Sequence, residues 1–83
     1  MKPIYSKQAA KYLNSLNASA QQRIRNGISK IPKGDIEPYE SAKSYYRLRV
    51  GKYRVVYKWL DEGQILISII DTRGQAYKKG AIK

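Results

Sequence analysis

The segment Tyr46-Arg-Leu-Arg-Val-Gly-Lys-Tyr-Arg-Val-Val-Tyr57 carries the strongest structural signal of this sequence, because apolar and basic side chains alternate along it. An alternation with a period of two predicts a strand with one face in the core and the other in solvent. Gly51-Lys52 interrupts the alternation as a two-residue turn, with glycine first as a type II′ turn prefers. The segment therefore predicts a β-hairpin whose register places Arg49 opposite Arg54.

The two faces of this hairpin differ in chemistry. One face is apolar and aromatic and is suited to pack against helices; it consists of Tyr46, Leu48, Val50, Tyr53, Val55, Tyr57 and Trp59. The other, which we call the basic face, consists of Arg47, Arg49, Arg54 and Lys58. Like charges directly opposite each other destabilise a sheet unless an anion lies between them, and arginine is a bidentate donor to phosphate. The basic face therefore predicts a phosphate-binding site, with an ordinary solvated strand face as the alternative.

Two amphipathic helices are predicted before the hairpin. In the first, apolar residues recur at helical spacing after Ser6, which is placed to act as the N-cap. The second follows the capping-box signature Ser19-x-x-Gln22 and extends to about Pro32. Helices joined by so few residues form an antiparallel hairpin, and their apolar faces need a second layer to cover them.

The remaining segments complete a small sheet. Residues 31–38 contain two prolines and a glycine and are predicted to be an irregular linker. Ile65–Ile70 is apolar on both faces except at Ser68 and predicts a central strand, while Lys2–Tyr5 predicts a short edge strand. Five tyrosines are expected in the core: Tyr5, Tyr12, Tyr46, Tyr53 and Tyr57. We therefore predict the α+β class, with an N-terminal helical hairpin packed on a small, mostly antiparallel β-sheet, in a single domain spanning residues 1–83.

Composition limits the possible functions. The chain has 83 residues with no Cys and no His, which excludes disulfide frameworks, zinc sites and nucleophiles activated by histidine. Its net charge of +11, from 17 Lys and Arg against six Asp and Glu, predicts a polyanionic partner. The longest apolar run, Ile65–Ile70, is too short to span a membrane, so we expect a cytoplasmic protein with no membrane partner.

The residues near the end of the sequence suggest contacts with RNA. Tyr77 lies in a polar, basic stretch where its ring could stack on an unpaired base, the alternative being a ring packed on the sheet edge. Asp61, Glu62 and Asp71 are too scattered for a two-metal nuclease, so we expect no metal and no cofactor. RNA suits such chemistry, because its own 2′-hydroxyl can attack the adjacent phosphate.

Three segments together resemble the RelE-like toxins of type II toxin–antitoxin systems, within the RelE/ParE superfamily. They are Lys33-Gly-Asp-Ile36, the hairpin segment of residues 46–57, and Arg73-Gly-Gln-Ala-Tyr-Lys78. The resemblance spans nearly the whole chain and implies two N-terminal helices packed on a small, mostly antiparallel sheet. It also implies a ribosome-dependent endoribonuclease, which cuts messenger RNA in the ribosomal A site without metal, leaves a 2′,3′-cyclic phosphate and inhibits translation.

The resemblance implies the catalytic residues Arg47, Arg49, Arg54, Arg73 and Tyr77. Arg47 and Arg49 match paired basic positions and Arg54 the arginine that holds the scissile phosphate. Arg73 and Tyr77 match the C-terminal arginine and the base-stacking tyrosine, although Lys78 could fill the role of Arg73. The family often has a lysine general base where this chain has Arg49, and arginine is a poor base. Lysines expected to bind RNA are Lys43, Lys52, Lys58, Lys78 and Lys79.

The resemblance also implies partners: an acidic, RelB-like antitoxin, the ribosome and its A-site messenger RNA. The toxin–antitoxin complex is expected to bind its own operator DNA through the antitoxin. Two alternatives remain open, because a shared fold does not fix function. One is a ParE-like inhibitor of DNA gyrase without nuclease activity, and the other is a non-catalytic nucleic-acid-binding module whose arginines are generic phosphate contacts.

Overall fold

The computed structural model describes residues 2–61 and 63–72. One strand and two helices are followed by four consecutive strands. They are β1 (Lys2–Tyr5), α1 (Lys7–Asn14), α2 (Ala18–Ser29), β2 (Asp35–Pro38), β3 (Tyr46–Val50), β4 (Tyr53–Asp61) and β5 (Gln64–Thr72). The two helices pack on one face of a five-stranded sheet with the order β1-β5-β4-β3-β2. The predicted α+β class and layer order are confirmed.

The sheet is a meander with one added strand. Strands β2 to β5 pair antiparallel with their neighbours in the sequence, while β1 pairs in parallel with β5 at the edge, as predicted for Lys2–Tyr5. The hairpin register is confirmed, because Arg49 pairs with Arg54. Gly51 has a φ of +58°, and Lys52 does not share a positive φ, as a type II′ turn requires.

The helix boundaries depend on their caps. Ser6 caps α1 as predicted, since its hydroxyl accepts a hydrogen bond from the Ala9 amide. The predicted capping box at Ser19 is wrong, because Asn17 is the N-cap of α2 and its Oδ1 accepts from the Ala20 amide. Ser19 therefore lies inside the first turn. The helix ends at Ser29, shortly before the predicted limit at Pro32.

The predicted linker is partly wrong, because residues 35–38 form the edge strand β2. Proline is tolerated at this position since one side of an edge strand has no ladder partner to donate to. Pro38 is the last residue of the strand and pairs with Tyr46. This strand places Asp35 opposite Arg49 and Glu37 opposite Arg47.

The core lies between the helices and the sheet. Its buried residues are Ala9, Leu13, Ile24, Ile28, Ile31, Leu48, Tyr53, Val55, Tyr57, Ile65, Ile67 and Ile70, and Tyr5 and Tyr12 pack against them as predicted. Tyr46 and Trp59 were predicted on the covered face but are 36% and 40% exposed. Both lie at the end of the hairpin away from the Gly51 turn, where the helices do not cover the sheet. Across residues 2–61 and 63–72, no helix is long and apolar enough to cross a membrane.

Candidate functional site

The basic face lies on the side of the sheet that the helices leave uncovered. Arg47 and Arg49 alternate along β3 with the buried Leu48, so their side chains point away from the core. Arg54 joins them from β4 through its pairing with Arg49. The structure therefore brings the three predicted arginines of the hairpin together on one surface.

Arg54 is held by two partners. Its Nε and Nη2 donate to the two carboxylate oxygens of Asp71 at 3.3 and 3.4 Å, a bidentate contact between residues that pair directly across β4 and β5. Its Cζ also lies 5.5 Å from the centroid of the Tyr39 ring, within cation–π range. The guanidinium is therefore fixed between a carboxylate and an aromatic ring before any ligand binds.

Arg47 and Arg49 are each paired with an acidic residue of β2. Arg47 Nη2 donates to Glu37 Oε1 at 2.6 Å, and Arg49 Nε lies 3.7 Å from Asp35 Oδ2. Each guanidinium also retains a buried nitrogen: among the described residues, Arg47 Nη1 and Arg49 Nε have no hydrogen-bond partner. The basic face thus combines neutralised charge with unused donors.

These carboxylates were not predicted from the sequence. The hairpin pattern predicted that a bound anion would relieve the Arg49–Arg54 repulsion, whereas Asp35 and Asp71 lie within reach of those two guanidinium groups. The available signal was the acidic stretch that contains Asp35 and Glu37, which the two prolines of that segment made appear irregular. Pairing β2 with β3 turns this stretch into the acidic border of the basic face.

Three of the five predicted RNA-binding lysines lie in the described part of the chain. Lys58 Nζ lies 5.2 Å from the Tyr45 ring centroid, Lys52 Nζ lies 5.5 Å from the Tyr53 ring at the hairpin turn, and Lys43 is exposed in the loop before β3. The other predicted residues, Arg73, Tyr77, Lys78 and Lys79, lie outside the described residues. In the part of the chain that is described, acidic side chains do not gather into a group able to hold a metal ion.

Three core-side tyrosines have perturbed acidity. Burial raises the pKa of Tyr5 and of Tyr57, with Arg25 partly offsetting the effect at Tyr5 and Tyr46 adding to it at Tyr57. Burial also raises the pKa of Tyr12, with the negative charges that Tyr53 and Asp71 can carry adding to the effect and a hydrogen bond with Thr72 opposing it. These phenols stay protonated near neutral pH, so none of them is suited to act as a general base there.

Comparison with known proteins adds family relationships to this geometry. The chain matches the sequence model of the ParE toxin of the type II toxin–antitoxin system parDE over residues 4–77. No curated protein sequence shows a significant match.

Solved structures with the same fold include chains of three toxin–antitoxin complexes. The archaeal RelE–RelB complex from Pyrococcus horikoshii contains a chain that is 30% identical, with a TM-score of 0.66, 89% of this chain covered and 96% of that one. The RelB–RelE complex from Methanococcus jannaschii matches at 23% identity and a TM-score of 0.72, covering 92% and 96%. The RelBE2 complex from Mycobacterium tuberculosis matches at 20% identity and a TM-score of 0.65, covering 87% and 96%. The last two support the fold alone.

Proposed function

The chain belongs to the ParE toxin family of type II toxin–antitoxin systems, within the RelE/ParE superfamily, and we propose that it is a metal-independent endoribonuclease. In this proposal it cleaves messenger RNA in the ribosomal A site and so inhibits translation. The observation that carries the proposal is the pair of buried, partnerless donors, Arg47 Nη1 and Arg49 Nε, beside Arg54 among the described residues. A buried donor without an acceptor is costly, so a phosphate oxygen that accepts from it is strongly favoured.

The proposed reaction uses the substrate's own nucleophile. The 2′-hydroxyl oxygen attacks the adjacent phosphorus, the bond from phosphorus to the 5′-oxygen breaks, and a 2′,3′-cyclic phosphate and a 5′-hydroxyl result. One proton leaves the 2′-hydroxyl to a base and one reaches the 5′-oxygen. The chain's contribution is the stabilisation of negative charge on the pentavalent phosphate by fixed guanidinium donors, since each such donor is worth about 10²- to 10³-fold in rate.

The carboxylates of the basic face act as positioning residues in this proposal. Asp71 occupies Nε and Nη2 of Arg54, which leaves the remaining N–H groups of that guanidinium free for a phosphate. An arginine fixed before substrate binding loses less conformational entropy when the transition state forms. Glu37 holds Arg47 through one hydrogen bond, and Asp35 attracts Arg49 across 3.7 Å without a hydrogen bond. Both carboxylates compete with the incoming phosphate.

The remaining predicted residues keep their proposed roles. Arg73, or Lys78 in its place, adds a further cation at the phosphate, and Tyr77 stacks on an unpaired base. Lys43, Lys52, Lys58, Lys78 and Lys79 contact the RNA backbone. The complexes of RelE with RelB support the proposal that this toxin is silenced by an acidic antitoxin, whose charge would complement a net +11.

The test is induction of the toxin in growing cells, followed by primer extension on messenger RNA. We expect growth arrest with cleavage at A-site codons, and we expect the Arg54→Ala variant to lose about 10²- to 10³-fold in the single-turnover rate on programmed ribosomes. Arg54→Lys keeps a positive charge beside Asp71 but not the planar guanidinium, so its cleavage rate should lie between those of the wild type and Arg54→Ala. Arg25→Ala, which removes an exposed cation of α2, is the matched control and should cleave normally.

A second candidate function follows from the family match over residues 4–77, whose name is that of ParE. In this candidate the chain inhibits DNA gyrase and cleaves nothing. The same induction experiment separates the two, because gyrase inhibition gives intact messenger RNA and accumulating gyrase-linked DNA breaks. That result would replace the ribonuclease proposal.

A further inference from the structure

Tyr39 directly follows the edge strand β2 and is half-buried. It continues the alternation of Asp35 and Glu37, so its side chain lies on the same side of the sheet as the basic face. The Tyr39 amide donates to the Tyr45 carbonyl at 2.9 Å, and the Tyr39 carbonyl accepts from the Ala42 amide at 3.4 Å. These backbone hydrogen bonds hold the residue in place independently of its side chain.

The Tyr39 ring contacts Arg54 along the basic face. Arg54 pairs with Arg49 across β3 and β4. Tyr39 lies opposite Tyr45, four positions before Arg49, so the two side chains meet by extending toward each other along the face. Arg54 Cζ lies over the Tyr39 ring, 5.5 Å from its centroid, and the Arg54 side chain is only 22% exposed. A cation–π contact that is partly shielded from water is stronger than a fully exposed one.

The two partners of Arg54 restrict different motions of its guanidinium. Asp71 accepts from Nε and Nη2, which fixes one edge of the group but leaves its plane free to tilt about that edge. The Tyr39 ring lies against the face of the group and limits this tilt. A guanidinium has five N–H groups, and because Asp71 uses two of them, three remain in the plane on Nη1 and Nη2. The tilt of the plane therefore determines where these three donors point.

A second cation lies over a ring of the same loop, but it has no plane to orient. Lys58 Nζ lies 5.2 Å from the Tyr45 ring centroid, and the donors of an ammonium group rotate. Among residues 2–61 and 63–72, Arg54 is the one arginine that lies over an aromatic ring. We propose that Tyr39 is a positioning residue, whose ring sets the plane of Arg54 so that its three remaining N–H groups face the scissile phosphate. This inference rests on the proposed ribonuclease function and adds the β2–β3 loop to its site.

The first experiment compares two substitutions of Tyr39 in cleavage on programmed ribosomes. Tyr39→Leu removes the ring and should lower the saturating single-turnover rate about 3- to 30-fold, the range that loss of a cation–π contact implies. The ribosome concentration that gives the half-maximal rate should change less than about threefold, since the oriented donors act mainly on the transition state. Tyr39→Phe keeps the ring and should stay within about twofold of the wild type, because the hydroxyl makes no hydrogen bond within the described residues.

Two further variants separate positioning from a structural effect. Tyr46→Leu removes an exposed tyrosine from the opposite face of the sheet and should cleave normally. In an Arg54→Ala background, Tyr39→Leu should have no further effect on the rate, because the group that it positions is gone. An undiminished effect in that background would overturn the proposal. A loss in Tyr39→Phe equal to that in Tyr39→Leu would also overturn it and would assign the role to the phenol hydroxyl.

The second experiment observes Arg54 in the free chain by nuclear magnetic resonance, without substrate. In the wild type and in Tyr39→Phe, the ring should shift the Arg54 Nε–H resonance upfield. In Tyr39→Leu this shift should be lost, and the proton should exchange faster with water. An unchanged resonance in Tyr39→Leu would show that the ring does not order Arg54 and would overturn the proposal. Intact messenger RNA after induction of the wild type would refute the ribonuclease function and the catalytic role of Tyr39 with it, whereas the resonance would still show whether the ring orders Arg54.

Discussion

Arg54 and Asp71 are shielded from water to a degree that the other arginine–carboxylate pairs are not. Their side chains are 22% and 14% exposed. In the Arg47–Glu37 pair, whose closest atoms lie 2.6 Å apart, Arg47 is 14% exposed but Glu37 is 66% exposed. Exposed ion pairs contribute about 0 to 1 kcal/mol, because water screens the charges and the side chains lose entropy. A pair in which both groups are shielded contributes more, since water and salt screen the attraction between its charges less. The burial of both side chains, more than the distance between them, should therefore determine how much each ion pair contributes to the free energy of unfolding.

The first prediction compares two neutralising substitutions. Asp71→Asn should lower the free energy of unfolding by about 1 to 2 kcal/mol, a value reduced from that of a fully buried pair because both groups keep some contact with water. Glu37→Gln should lower it by less than about 0.5 kcal/mol. Urea denaturation of both variants at neutral pH gives the measurement. An equal or larger loss in Glu37→Gln would show that distance outweighs burial here.

Elements that rest on local rules were predicted well, and those that rest on distant partners were not. The Gly51 turn and the alternation around it determined the β3–β4 hairpin and the pairing of Arg49 with Arg54. The strand β2 was missed because its residues have poor strand propensity and become a strand only by pairing with β3. For the same reason the carboxylates of the candidate site were not predicted. The arginines follow from the hairpin alone, but their carboxylate partners lie on the neighbouring strands β2 and β5.

The α2 N-cap provides a second prediction, because two residues competed for that role. Asn17→Ala removes the acceptor of the Ala20 amide and should destabilise the chain by about 1 kcal/mol. Ser19→Ala places a better helix former inside the first turn and should be neutral or stabilising by a few tenths of a kcal/mol. Thermal unfolding followed by circular dichroism distinguishes them. If Ser19→Ala lost as much stability as Asn17→Ala, Ser19 would act as a helix cap as first predicted.

The contact between α2 and β3 provides a third prediction. Gly27→Ala gains about 1 kcal/mol of helix propensity but forces the new methyl group against Val50 Cγ2, at a cost of about 1 to 3 kcal/mol. We expect a net destabilisation in the wild-type background. In a Val50→Ala background the clash is absent, and the same substitution should become stabilising. A double-mutant cycle by urea denaturation measures this change of sign, and an unchanged sign would place the strain elsewhere.

At the scale of the whole molecule, the charge is divided unevenly between the two layers. The helical layer and its flanks, residues 1–33, contain seven basic residues and no acidic one: Lys2, Lys7, Lys11, Arg23, Arg25, Lys30 and Lys33. The three arginines of the basic face are instead each paired with a carboxylate, from Asp35, Glu37 or Asp71. Long-range attraction of polyanions should therefore be strongest at the helices, and the sheet should act through fixed donors at short range.

The buried tyrosines provide the fourth prediction, which concerns alkaline pH. Burial raises the pKa of Tyr57 above its ordinary value of 10.0, so the unfolded state releases this proton more readily than the folded one. The stabilisation is complete below about pH 10 and is lost as the pH rises through the folded-state pKa. Tyr57→Phe should therefore reduce the loss of stability between about pH 8 and pH 11. Urea denaturation at both values tests this, and an unchanged loss would assign the alkaline sensitivity to other groups.

The parallel pairing of β1 with β5 has a consequence for synthesis. Tyr5 and Gln64 are 59 positions apart, yet among the described strands β1 pairs only with β5. Ser6 Oγ donates to the Ser68 carbonyl beside that pairing. At about 5 to 20 residues per second, a translating ribosome needs about 3 to 12 s to make the stretch between the two strands. Until then the nascent chain has no partner for its first strand, and α1 lacks the strand on which it packs. A truncated translation product that ends before β5 therefore cannot complete the sheet. A cell that makes this chain is exposed to a folded toxin only after translation has passed through β5.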